Sequence, residues 1–179
     1  MKELFLINVW GQDKPGVTRV VTEVLSTFEV TVLDIGQAVI HDQLNLGILA
    51  AVPAGKDSEA LVKDVQRGLQ ALEIQVMFSP ITEQRYQNWV AQQGKARYIV
   101  TLLARKIEPE HLAAVATVTS EYDLNIDKIV RLSGRMELDE SEDLGRACVE
   151  FSVRGEPKDA VQFKSALLEL ASHFDIDIA

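Results

Sequence analysis

The sequence predicts an α+β protein made of two ferredoxin-like βαββαβ units in tandem, each an antiparallel four-stranded sheet with its helices on one face. Two observations predict it: the chain repeats itself, and in each copy the hydrophobic period switches between strand-like and helix-like in the same order. A shift of 94 positions lays Leu4-Phe5-Leu6-Ile7 on Tyr98-Ile99-Val100-Thr101 and Pro15 on Pro109. It carries Val21, Val24 and Phe28 onto Val115, Val118 and Tyr122, and Val32 and Ile35 onto Ile126 and Ile129, with no gap. Further along the shift is 102, placing Leu61, Val65 and Leu72 on Phe163, Leu167 and Phe174, and Ile74 and Val76 on Ile176 and Ile178. The extra residues fall around 137–143, an acid-rich stretch that reads as a solvated hairpin tip.

In the first copy, residues 3–10 are an apolar, partly β-branched run too short for a helix, hence a buried strand. Residues 15–28 carry Val17, Val20, Val21, Val24, Leu25 and Phe28 at helical spacing, with Pro15 suited to the first turn. Two strands, 30–41 and 44–52, flank the polar turn Asp42-Gln43; a second amphipathic helix covers 57–72 and a strand 74–78 closes the unit. The second copy repeats this order over 97–104, 109–122, 124–132, 146–154, 158–174 and 176–179. In its fourth element Ala147, Val149, Phe151 and Val153 alternate with polar residues, which makes Cys148 a passive sheet residue rather than a nucleophile. The units are thus expected at 1–80 and 96–179, joined by a segment 81–95 whose Tyr86, Trp89 and Val90 imply packing. The final strand ends sooner than its counterpart, which leaves open a naturally short strand or a boundary inside a longer polypeptide.

Charge and composition narrow the function. The 18 basic and 27 acidic residues give a net charge of −9, which opposes binding to nucleic acid or anionic lipid. No apolar run approaches the ~20 residues of a membrane span. The single cysteine cannot form an internal disulfide and no basic, apolar leader opens the chain, so a cytoplasmic protein is expected. His41, His111 and His173 stand singly, without metal-ligand spacing, and neither a phosphate loop nor a nucleophile elbow is present. No catalytic residue, metal ligand or cofactor is expected in this chain.

The most informative segment is Gly11-Gln12-Asp13-Lys14-Pro15-Gly16, between the first strand and the first helix. A helix start offers unpaired N–H groups and the positive end of the dipole, so the N–H groups of Gly16 and Val17 are candidates for holding a carboxylate. Asp13 is placed to accept an ammonium or hydroxyl group, or simply to cap the helix. Asp34 and Gln37, around a strand glycine, are candidates for an ammonium site or a subunit contact; edge-strand solubility explains Asp34 equally. In the second copy Gly11, Asp13 and Gly16 become Arg105, Ile107 and Glu110, and acids in that first turn repel a carboxylate.

The βαββαβ order and the Gly-x-Asp-x-Pro-Gly turn resemble the ACT domain, a small-molecule regulatory module of amino-acid metabolism. The longer series resembles the tandem ACT region ahead of the catalytic domain in long bacterial phosphoserine phosphatases. It comprises residues 11–16, then 33–42, then Arg131-Leu132-Ser133-Gly134-Arg135, then Glu150-Phe151-Ser152-Val153-Arg154-Gly155. The resemblance implies an L-serine-sensing region of L-serine biosynthesis, itself non-catalytic. It also implies a magnesium-dependent phosphatase domain C-terminal to it in the parent protein, and ACT sheets joined side by side, either as an internal pair or in a homodimer, of which the homodimer is expected. Carried over residue by residue, the ligand pattern falls on Asp13, Gly16 and Val17 in the loop and on Asp34, Ile35 and Gln37 in the facing strand. The other reading is a freestanding tandem ACT protein that acts through protein partners.

Overall fold

In the computed structural model, which describes residues 2–134, 147–157 and 159–179, the chain divides into two compact units, Met1–Ala91 and Gln92–Ala179. Unit 1 comprises β1 (Glu3–Gln12), α1 (Val17–Thr27), β2 (Thr31–Ile40), β3 (Gln43–Val52), α2 (Ser58–Gln70), β4 (Gln75–Ile81) and α3 (Glu83–Ala91). Unit 2 comprises β5 (Arg97–Ala104), α4 (Pro109–Glu121), β6 (Asn125–Arg131), β7 (Ala147–Arg154), α5 (Ala160–Phe174) and β8 (Asp177–Ile178). Both sheets are antiparallel with equivalent strand orders, β2-β3-β1-β4 and β6-β7-β5-β8. The acid-rich stretch 137–143 lies outside the described residues.

Alternation builds each core. Leu44, Leu46, Ile48, Ala50 and Val52 of β3 point inward with Ile7 and Val9 of β1, and Val17, Val21 and Leu25 of α1 and Leu61, Val65 and Leu69 of α2 close over them. In unit 2, Val100, Leu102, Val149, Phe151 and Val153 meet Val115, Phe163, Leu167 and Leu170. Each such side chain contributes about 1.5–3 kcal/mol by leaving water. Four helices end on a non-glycine residue in the left-handed region: Glu29, Glu73, Asp123 and Asp175. The first and third, and the second and fourth, are repeat equivalents, so the duplication extends to the backbone of the helix ends.

The ladders correct one part of the repeat. Ile48 faces both Ile7 and Ile35, while Phe151 faces both Val100 and Ile129. Ile7 is therefore equivalent to Val100, not Thr101, and the shift of 94 runs one residue out of phase along the first strand. From Val17, Val21 and Leu25 onward, buried like His111, Val115 and Thr119, the shift holds. The loop ahead of α4 consequently carries one more residue than the loop ahead of α1. A gapless comparison misses this because the run is apolar at nearly every position, Thr101 apart, and only the ladder register reveals which face each residue occupies.

Two further details differ from the sequence reading. Pro15 precedes the N-cap Gly16 rather than opening the helix, whereas Pro109 does occupy the first turn of α4. The turn between β2 and β3 is His41-Asp42, with Gln43 already in the strand. There the His41 ring and the Gln43 amide meet the Asp42 carboxylate at 2.7 and 3.0 Å, and these bonds, Gln43's foremost, hold its pKa below the usual value. Among the described residues no helix is long and apolar enough to cross a membrane.

Candidate ligand-binding site

The loop from β1 to α1 is held at both ends. The Asp13 N–H donates to the Asp42 carbonyl at 2.7 Å, continuing the β1–β3 ladder by one rung. The Lys14 ammonium donates to the Leu72 carbonyl at 2.9 Å and pairs with Glu73 at 3.1 Å, capping the end of α2 with a positive charge. Lys14 is thus spent on tethering the loop. Gly16 then turns the chain with φ of +96°, and a Cβ there would meet no atom within 4 Å. Glycine is required by the left-handed backbone, not by crowding, and it leaves the approach to the helix open.

No side chain caps α1. The Val17 N–H reaches the Lys14 carbonyl only at 3.5 Å, and the first good helical bond is Val20 to Gly16 at 2.9 Å. Asp13 is exposed and does not act as the cap. Val17 can contribute only its N–H, since its side chain is buried in the core. Across from this turn, the Thr18 hydroxyl donates to the Gln37 carboxamide oxygen at 2.7 Å, joining the first turn of α1 to β2. Sequence reasoning missed Thr18; its place directly after Val17, in a first turn facing Gln37, was the available signal.

Register sorts the strand residues. Ile35 and Gln37 lie opposite the inward-facing Ile48 and Leu46, so both stand on the helix side of the sheet, with the loop. Asp34 lies opposite Leu49, beyond a bulge between Val32 and Asp34, and stands on the other side. The structure sets Ile35 and Gln37 on the helix side of the sheet, ties Gln37 to the first turn of α1 through Thr18, and places Asp34 on the other side. The bulge, not Gly36, is the irregular point of β2, and Gly36 has open space around it.

Unit 2 closes the same place with its own chain. Its helix α4 begins two residues earlier relative to the core, on Glu108 as N-cap and Pro109. The His111 N–H donates to the Glu108 carbonyl at 3.1 Å with the Glu108 carboxylate turned back over the same N–H, and the His111 ring accepts the Glu108 N–H at 3.2 Å, the arrangement of a capping box. His111 occupies the core position of Val17, so the helix start that no side chain covers in unit 1 is covered by the Glu108 carboxylate in unit 2. A hydrogen bond with the Glu110 side chain, then the Lys106 ammonium 3.3 Å away, hold the Glu108 carboxyl below its usual range. Arg131, at the Gln37 position, turns to the Gly134 carbonyl instead of bridging to a helix.

Residues 3–79 match the family model of the ACT domain. Unit 1 is an ACT domain. Unit 2 repeats the ACT fold with its helix start altered as above. The chain aligns over 175 residues, 97% of its length, with a phosphoserine phosphatase of Streptomyces coelicolor at 29% identity, covering 38% of that protein. It aligns at 28% identity with phosphoserine phosphatase SerB2 of Mycobacterium tuberculosis, again over 97% of this chain and 39% of the relative. The chain therefore spans less than two-fifths of these curated relatives. In fold it is similar to an unknown protein from Galdieria sulphuraria (TM-score 0.73, 16% identity, 100% of this chain and 97% of that one). It is also similar to a putative glycine cleavage system transcriptional repressor (TM-score 0.66, 11% identity, 100% and 96%). Among the described residues no three of His, Cys, Asp and Glu gather as a metal site.

Proposed function

We propose that this chain is the amino-acid-sensing regulatory region of a phosphoserine phosphatase and that its ACT domain binds L-serine at the start of α1. The observation that carries the reading is the contrast between the two helix starts: no side chain caps α1, whereas α4 opens on the capping box of Glu108 and His111. In this reading the ligand carboxylate sits on the N–H groups of Gly16 and Val17, where Glu108 sits on His111 in unit 2. Asp13 takes the ammonium or the side-chain hydroxyl, and Ile35 and Gln37 form the wall supplied by β2. The repeat, with its acidic first turn, takes no ligand of this type.

L-serine is favoured because the curated relatives over this span are phosphoserine phosphatases, whose product is L-serine. The catalytic domain and the magnesium ion it uses belong, in this reading, to the longer polypeptide. β2 is an edge strand with exposed Val32, Ile35, Val39 and Ile40, and pairing two copies along it covers those residues and closes the ligand site in a homodimer. Coupling between ligand and packing is then worth on the order of 1–3 kcal/mol.

Titration calorimetry of the wild-type chain and Gly16→Val with L-serine, glycine and L-alanine tests this. Saturable heat with L-serine, weakened about tenfold or more in Gly16→Val, is expected from losing charge-assisted bonds of ~1.5–3 kcal/mol. Absence of heat with all three, or equal affinity in the variant, contradicts the site.

A further inference from the structure

The opposite face of the ACT sheet carries a second cavity, of about 240 Å³. Leu6 and Leu49 form its floor, α3 supplies Arg85, Tyr86 and Trp89 as one wall, and Asp34 stands at the rim beside the bulge. The Tyr86 and Trp89 rings lie 5.9 Å apart and tilted, a continuous aromatic wall built by their i, i+3 spacing on the helix. Asp34 and Arg85 line this cavity together, yet among the described residues neither has an ion-pair partner. One Asp34 oxygen accepts the Ile35 N–H at 2.9 Å, and among the described residues the Arg85 guanidinium has no acceptor. The arrangement is therefore an acceptor of positive charge and a donor to negative charge set apart over an apolar, aromatic pocket.

We propose that this cavity is a second ligand site, for a free α-amino acid with an apolar or aromatic side chain. The ammonium pairs with Asp34, the carboxylate takes the two parallel N–H groups of Arg85, and the side chain packs between Leu6, Leu49 and the Trp89 ring. Ligands with one charge satisfy only half of the site, and a polar side chain such as that of serine leaves the aromatic wall unused. The site does not depend on the start of α1, and it stands or falls separately from the proposed serine site.

The chain contains two tryptophans, so Trp10→Phe leaves Trp89 as the reporter inside the cavity. Titrating that variant with L-leucine and L-phenylalanine to about 10 mM is expected to give a saturable change in Trp89 emission. Leucinamide, which lacks the carboxylate, and 4-methylpentanoate, which lacks the ammonium, should bind at least tenfold more weakly. Asp34→Asn and Arg85→Gln should each weaken L-leucine by tenfold or more, while Gly16→Val leaves it unchanged. Both substitutions are at exposed positions, and amide chemical-shift mapping of the wild-type chain gives an independent readout at Asp34, Leu49 and Arg85. No change with either amino acid, equal binding of the single-charge analogues, or undiminished binding in both variants overturns the proposal. Loss of leucine binding in Gly16→Val alone assigns the signal to the α1 site and likewise overturns it.

Discussion

The two units share one fold and differ at one helix start. In unit 1 the chain enters α1 through a left-handed glycine and leaves the first turn open; in unit 2 one extra loop residue lets the helix begin earlier and the chain cap itself with Glu108. The lesson is that a binding place can be removed without disturbing the fold that supports it. Much of the inward face is retained in kind, Val21 by Val115 and Ile48 by Phe151, although His111 and Thr119 replace Val17 and Leu25, while the backbone donors of a single turn change hands.

The hardest way to break the comparison is to damage one core and watch the other. Phe151 is fully buried in unit 2, and Phe151→Ala should cost about 3–5 kcal/mol. Amide exchange at Val149 and Val153 should accelerate accordingly while Ile7 and Val9 keep their protection; equal loss in both units would mean that the cores are not independent.

A subtler break acts on the site. Gly16→Val forces a β-branched residue into φ of +96° at a helix start, which costs roughly 1–2 kcal/mol and displaces the donors. The ACT domain should still unfold cooperatively in urea. The hydroxyl bridge gives a milder version: Thr18→Val removes the bond to Gln37 and should lower stability by about 1 kcal/mol, read by the urea midpoint.

The closed helix start sharpens the comparison from the other side. Glu108→Ala should lower the urea midpoint of unit 2 and leave L-serine affinity unchanged. The smallest effect is in pH. Because the folded pKa of Glu108 lies below its ordinary 4.5, its contribution is present above that value and fades as pH falls through the lowered one. The stability gap between wild type and Glu108→Gln should therefore be constant above about pH 5 and narrow in acid, measured by urea unfolding across pH.

Much of this was legible in the residues. Helix periodicity placed Val17, Val21 and Leu25 and, in the second copy, Val115, but not the buried His111 and Thr119, whose polar side chains break the apolar pattern; alternation placed the inward face of β7. What escaped was the side of the sheet on which a residue stands. Asp34 reads as a neighbour of Gln37 in sequence, but the bulge at Val32/Asp34 and the pleat set them on opposite faces. The same blindness hid the phase error in the first strand. Segment 81–95 was expected to pack, and it contains α3, but nothing in its sequence tells that Arg85, Tyr86 and Trp89 share a cavity with Asp34.

The central claim is that the open helix start binds the ligand and the self-capped one does not. Titrating the isotopically labelled chain with L-serine and following backbone amide resonances tests it directly. The account predicts saturable shifts at Gly16, Val17, Thr18 and Gln37 and none at residues 108–111. Shifts of equal size at both helix starts, or at neither, would contradict it.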